Sequence, residues 1–242
     1  MGWLLRIPLA CVPSCALVWV LGGINRGYRW IAGSGPHGCW LGSYEQDKQS
    51  AIGRRVAPGS VAFDVGANVG FYTLALARLA GPGGRVYSFE PDAANVAKLR
   101  RHVEINRLEN VSVLQVAVAD KQEMVCFRVG ENSSTGRIDS GGTEYLVAAM
   151  PLDRLIAAGC CQVPDVIKMD VEGAEALVLD GARAILAARK TVWFIALHGE
   201  QAKKDCFAIL GEYGYTCETL DGETIGDDFI GDEIVASPGT AE

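Results

Sequence analysis

The sequence predicts an α/β fold, one domain in which a mostly parallel β-sheet is covered by helices on both faces. Three observations predict it. From residue 60 onward, apolar runs of strand length alternate with helical patterns, an order that lays a helix on the sheet at each crossover. The composition is globular, with 49% hydrophobic and 21% charged residues in 242, which excludes a disordered chain. No internal repeat and no linker long enough to separate two domains interrupt the alternation.

The first strand falls at 61–64 (VAFD), and a helix follows at 70–80 with Leu74, Leu76 and Leu79 at helical spacing. A Gly-Pro-Gly-Gly turn at 81–84 leads to a second strand at 85–89. Residues 92–106 read as an amphipathic helix with Asp92 as its N-cap. Strands are expected at 111–118 and 125–129, and the polar, Gly/Ser-rich stretch 130–144 reads as a mobile loop and acceptor lid. The apolar run 165–169 is a strand, 174–189 an Ala/Leu-rich helix, 191–197 a strand and 202–213 a helix. Residues 215–220 and 229–236 close the sheet as a β pair.

Ahead of a domain over 44–242, residues 1–43 read as an apolar arm. The first 44 residues hold Arg6, Arg26 and Arg29 and no acid, leaving 19 basic against 29 acidic residues in the rest. With a net charge of −7, general nucleic-acid binding is excluded, because such proteins present a basic face. Residues 7–24 are uncharged and just reach the length of a bilayer helix, but Pro8, Pro13, Gly22 and Gly23 break the run. An arm packed on the domain is the expectation, with membrane contact through this segment a second reading and a cleaved signal a third. Eight cysteines form no C-x-x-C pair and only three His are present, so a zinc site has no support and no metal is assigned. Scattered cysteines read as small buried side chains in a reducing compartment, which makes the expected location cytoplasmic.

Chemistry concentrates at three strand ends. In 61–73 (VAFDVGANVGFYT), Asp64 closes a strand and Gly66 and Gly70 frame a tight turn into a helix. Ligands of open parallel sheets bind at such ends. The spacing is G-x-x-x-G rather than G-x-G-x-x-G, and an acid beside the turn repels a pyrophosphate. It suits a ligand carrying an ammonium and a sulfonium, such as S-adenosylmethionine. Glu90 closes the second strand, twenty residues after Gly70, where a carboxylate can accept both hydroxyls of a ribose. In 166–175 (VIKMDVEGAE), Lys168 inside an apolar strand needs a carboxylate partner, and alternation puts Asp170 on its side. Asp170 and Glu172 are open to a structural ion pair, substrate positioning, proton acceptance or a divalent metal, although the acid count requires none.

These segments resemble the FkbM family of S-adenosylmethionine-dependent methyltransferases. The resemblance rests on Gly42-Ser43-Tyr44-Glu45, on 63–73 (FDVGANVGFYT), on Phe89-Glu90-Pro91, on Leu152-Asp153 and on 167–175 (IKMDVEGAE), in order over about residues 42–220. It implies a class I methyltransferase fold, a Rossmann-like three-layer sandwich whose seven-stranded, mostly parallel sheet has an antiparallel last strand. It implies cofactor contacts from Asp64, Gly66, Asn68 and Gly70 near the methionine part, from Glu90 on the ribose, and from Ala117 and Val118 beside the adenine. Asp170 would approach the reacting methyl, and Glu45 would help close the pocket. The strand ending at His198 departs from the family's Glu-x-His. It reads Ala196-Leu197-His198, so the chain lacks that Glu or borrows Glu200.

The expected reaction is O-methylation of a hydroxyl on a sugar, glycan or polyketide-like metabolite. His198 is the leading proton acceptor, since imidazole titrates near neutral pH, and Asp170 is second; Lys168 completes the set of catalytic candidates. A small-molecule or glycan acceptor is expected; the sequence gives no oligomeric state. Two rivals remain open at this point, a nicotinamide-dependent oxidoreductase on a similar sheet and a cofactor-binding module without catalysis.

Overall fold

The computed structural model describes residues 11–128, 137–138, 145–226 and 229–239. Its first elements are an antiparallel hairpin, β1 (Leu17–Trp19) and β2 (Arg29–Ile31), then the short α1 (Gly38–Leu41) and α2 (Gln46–Arg55). Strand alternation turns Val18 and Val20 inward and leaves Leu17, Trp19 and Leu21 exposed. Trp30 is fully buried and stacks on His102 with ring centroids 3.9 Å apart. The Ile31 N–H donates to His102 Nε2 at 3.1 Å, so Nδ1 carries the hydrogen that reaches the Val69 carbonyl at 2.8 Å. Burial pushes His102 down to about 4, which keeps the ring neutral and structural. Among the described residues no helix is long and apolar enough to cross a membrane. Residues 7–10 of the uncharged run lie outside them.

The core follows as β3 (Val61–Val65), α3 (Phe71–Ala80), β4 (Arg85–Phe89), α4 (Ala93–Ile105) and β5 (Val111–Leu114). Next come β6 (Ala117–Val118), β7 (Glu123–Arg128), β8 (Arg137–Ile138), β9 (Tyr145–Met150), α5 (Leu152–Ala157) and β10 (Val166–Met169). The chain then adds α6 (Glu175–Asp180), α7 (Arg183–Ala188), β11 (Val192–Ala196), α8 (Glu200–Glu212), β12 (Tyr215–Glu218) and β13 (Glu233–Pro238). The central sheet runs β12-β13-β11-β10-β3-β4-β5. Its strands pair parallel except at β13, which is antiparallel to both neighbours. This is the seven-stranded class I methyltransferase sheet that the resemblance implies.

Alternate residues of each strand feed different layers. Phe63, Ile167, Trp193 and Ile195 pack on one face, and Ala62, Val166 and Phe194 pack on the other with Leu74 of α3. Val20, Trp30 and Trp40 from the first 43 residues join that second cluster. Asp92 caps α4 by accepting the Asn95 N–H at 2.7 Å, a contact typically worth about 1 kcal/mol.

Two expectations change. The strand at 111–118 divides, because Val116 N–H turns back to Leu114 O and β6 leaves the central sheet to pair with β9. A second sheet, β6-β9-β7-β8, results, and its strand β9 carries no clear sequence signal. The helix at 174–189 divides at Gly181, where a Cβ would lie 2.2 Å from the Ala119 carbonyl oxygen. The α7 N-terminus is instead held by Asp153, which accepts the Ala184 and Ile185 N–H groups at 2.7 and 3.2 Å. Most of the predicted loop 130–144 lies outside the described residues.

Candidate active site

A cavity of about 460 Å³ opens at the carboxyl ends of β3, β4, β10 and β11, the place where parallel sheets receive ligands. One wall is built by the turn after β3. The Gly66 and Ala67 N–H groups both donate to the Phe89 carbonyl at 3.0 Å. Gly66 has φ +73°, and a Cβ there would lie 1.9 Å from the Asp170 carbonyl oxygen. Only glycine allows this approach. Asn68 takes a left-handed conformation at φ 49°, and its backbone N–H donates to Glu90 Oε2 at 2.7 Å. Glu90 Oε1 accepts the Asp92 N–H at 3.0 Å. Burial raises the Glu90 carboxyl above its ordinary value despite these donors. Beyond Glu90, Ala117 and Val118 of β6, with Val116 and Phe127, form an apolar stretch of the lining.

Two sequence-predicted residues stand behind this wall rather than on it. Asp64 is fully buried, accepts a hydrogen bond from Thr73 Oγ1 at 2.7 Å and lies 3.4 Å from Lys168 Nζ. Gly70 (φ +95°) leads into α3 where a Cβ would lie 2.3 Å from Leu99 Cδ1 of α4. Neither belongs to the cavity lining, whereas Glu45, Gly66, Asn68, Glu90, Ala117, Val118, Lys168, Asp170 and His198 all do.

The opposite wall is charged. Lys168 Nζ donates to the Gly66 carbonyl at 3.2 Å and lies 3.9 Å from Asp170 Oδ2. Its closer carboxylate is therefore Asp64. For Asp170, burial alone would raise the carboxyl, but Lys168, Lys48 and His198 outweigh it and hold the group below the ordinary aspartate range. His198 Nε2 faces Asp170 Oδ1 at 3.7 Å and Glu172 Oε2 at 3.6 Å, while Nδ1 meets Glu175 Oε1 at 2.7 Å. The Glu175 hydrogen bond is the largest influence on the ring and, with the charges of Asp170 and Glu172, raises His198 above its ordinary value against burial. Asp170, Glu172 and His198 bring donor atoms within 4.8 Å of one another.

Glu45 lines the cavity and sits in a left-handed conformation, φ 44°. Its Oε2 accepts from Tyr72 OH at 2.8 Å and pairs with Lys48 Nζ at 2.9 Å. Burial works to raise Glu45, yet Lys48 with hydrogen bonds from Tyr44 and Tyr72 brings it below the ordinary value. Lys48 also pairs with Glu233. The alternative that Glu200 stands in at the Ala196 position is not met: Glu200 lies in α8, its side chain 83% exposed and 3.5 Å from Lys203 Nζ. Ala196 itself lines the cavity.

Sequence reasoning missed Lys48, Tyr72, Glu233 and the role of Glu175. Tyr72 lies within 61–73 and Glu175 within 166–175, so each carries a local signal, a polar side chain beside a strand-end turn. Lys48 and Glu233 carry no local signal, because α2 and β13 meet only in the fold.

A sequence model described as the methyltransferase FkbM domain matches residues 64–217. The chain is 42% identical over 69 residues to the 31-O-demethyl-FK506 methyltransferase FkbM of Streptomyces tacrolimicus, covering 28% of this chain and 26% of that protein's length. Among solved structures, the methyltransferase FkbM of Methylobacillus flagellatus KT superimposes with a TM-score of 0.53 at 22% identity, covering 73% of this chain and 43% of that one. A putative rRNA methylase of Clostridium thermocellum gives 0.50 at 12% identity over 78% of this chain and 91% of that one.

Proposed function

The chain belongs to the FkbM methyltransferase family, and from that premise we propose that it transfers a methyl group from S-adenosylmethionine to a hydroxyl of a sugar, glycan or polyketide-like small molecule. The observation that carries the reading is His198, whose Nε2 faces the cavity within 4 Å of Asp170 and Glu172. The residues present fit the cofactor. Glu90 is 5% exposed with its carboxylate fixed by backbone N–H groups, the Gly66 turn admits no side chain, and Ala117 and Val118 offer apolar surface. The cavity, about 460 Å³, is of ordinary ligand-site size.

When bound, S-adenosylmethionine supplies an electrophilic methyl on a sulfonium. Glu90 would accept the ribose hydroxyls, Ala117 and Val118 would flank the adenine, and Gly66, Asn68 and Asp170 would surround the methionine part. Asp64 and Gly70 act from behind, Asp64 by holding Lys168 beside Asp170 and Gly70 by seating α3 on α4. Glu45, tied to Tyr72 and Lys48, closes the pocket and excludes water. His198 in its neutral form takes the acceptor proton on Nε2. Because positioning supplies most of the rate in a displacement of this kind, these residues are asked mainly to hold and align. The Streptomyces relative, by its name the methyltransferase of an O-demethyl substrate, supports oxygen as the acceptor atom.

A turnover assay with labelled methyl donor across glycans, sugars and small alcohols tests this. His198→Ala should lower kcat by roughly 10²–10⁴ with cofactor affinity unchanged; full turnover would refute the base assignment. Cofactor binding with no transfer to any acceptor would favour the non-catalytic reading, to which Ala196 lends weight. The nicotinamide reading has no support from the family match.

The exposed face of β1 supports a partner beyond the acceptor. Leu17, Trp19 and Leu21 are 41%, 58% and 61% exposed, in a segment without acids and with Arg26 and Arg29 close by in sequence. That composition suits the interface of an anionic bilayer. Co-sedimentation with anionic vesicles should fall in Trp19→Ser/Leu21→Ser; equal binding by wild type and variant would refute the contact.

A further inference from the structure

We propose that Glu175 is a positioning residue for His198, fixing the ring in the tautomer that leaves Nε2 free to accept a proton in the cavity. This rests on the reading of His198 as base. Glu175 opens α6 and is fully buried. Its Oε1 accepts the Gly173 N–H at 2.9 Å and faces His198 Nδ1 at 2.7 Å. A carboxylate can only accept, so the proton between them lies on Nδ1 and the neutral ring is bare at Nε2.

The groups around the ring divide by element. From the turn after β10, Asp170 and Glu172 face Nε2; from α6, Glu175 faces Nδ1. On the ring's own side, Glu200 at the start of α8 is turned to solvent beside Lys203. Glu175 is thus the one of these carboxylates that is fully buried and on the far side of the ring from the cavity. Its Oε2 is also buried and has no hydrogen-bond partner among the described residues. A glutamate kept there at such cost needs a compensating interaction, and the His198 hydrogen bond supplies it. The local backbone delivers the side chain: Glu172 at φ 54° and Gly173 at φ +101° turn the chain sharply between β10 and α6.

The test combines ring NMR with kinetics on the full chain. With ¹⁵N-labelled histidine, His198 is assigned by its loss in His198→Gln and distinguished from His37 and His102. At alkaline pH, wild type should show the Nδ1–H tautomer; an Nε2–H ring would overturn the proposal. Glu175→Gln keeps an acceptor oxygen but removes the charge. It should move both the His198 titration and the rising limb of the rate–pH profile to lower pH by roughly one unit, because a charge favouring the protonated ring is gone. Glu175→Leu should lower kcat at least tenfold with S-adenosylmethionine affinity unchanged, and partial recovery in Glu175→Gln marks orientation as the cause. A Glu175→Gln profile superimposable on wild type would overturn the proposal, as a purely structural residue changes melting temperature and leaves the profile in place. The ring titration does not require turnover, so it still judges Glu175 if His198→Ala proves fully active and the base reading fails.

Discussion

On the β3–β4 side of the cavity the inward groups are backbone amides, a glycine turn and the carboxylates of Glu90 and Asp92, with no cation among them; on the β10–β11 side they are side chains of opposite charge. Glu90 receives N–H donors and no cation, and burial raises it. Asp170 sits among Lys168, Lys48 and His198 and is lowered, while His198 among three carboxylates is raised. A wall of backbone fixes where a ligand lies, since its geometry does not depend on protonation. A wall of coupled charges sets which groups hold protons. Substitutions on the first should therefore appear in binding and folding, and those on the second in turnover and pH dependence.

Gly66→Ala is the largest test of the backbone wall. The added Cβ would fall 1.9 Å from a main-chain oxygen at φ +73°, and no side-chain rotation relieves a clash with backbone. Overpacking together with the left-handed penalty should cost about 3 kcal/mol or more, visible as a lower melting temperature and lost cofactor binding. An unchanged melting temperature would show that the turn does not press on the end of β10. Glu90→Gln should be milder. Replacing one acceptor oxygen by an amide that opposes an N–H donor should weaken cofactor binding roughly tenfold, about 1.4 kcal/mol. Calorimetry should show this with kcat at saturation nearly unchanged. A fall in kcat with intact affinity would break the division between the walls.

The same division explains what could be read from the sequence. The backbone wall is local: Gly66, Asn68 and Gly70 lie in one turn, and Glu90 ends the next strand, so a short window contains both geometry and chemistry. Placement at the carboxyl end of parallel strands then follows from the α/β alternation. Yet the window could not tell lining from support, and Asp64 and Gly70 proved to face Lys168 and Leu99. The charged wall is assembled from α2, β10, α6, β11 and β13, which meet only through sheet order. Lys48 and Glu233 pair across 185 positions of sequence, and nothing near either residue announces the other. Likewise β9 was invisible because it pairs in a second sheet whose edges are set by tertiary packing rather than by its own alternation.

The smallest expected effect concerns carboxylate titration, and it separates Glu90 from Glu45 and Asp170 by sign. Glu45 and Asp170 have folded-state values below their ordinary 4.5 and 3.8. Their stabilisation is present above the unfolded values and is lost as pH falls through the lowered ones. Glu90 lies above 4.5, so it favours the fold below the unfolded value and gives that up as pH rises through the raised one. Carboxyl ¹³C NMR should show Glu90 titrating before Glu45 and Asp170 as acid is added. His198→Gln removes one of the three charges that lower Asp170 and none of the influences on Glu90. Asp170 should therefore move upward while Glu90 stays. If both carboxylates move together, the walls share one electrostatic environment and the separation of binding from proton transfer fails.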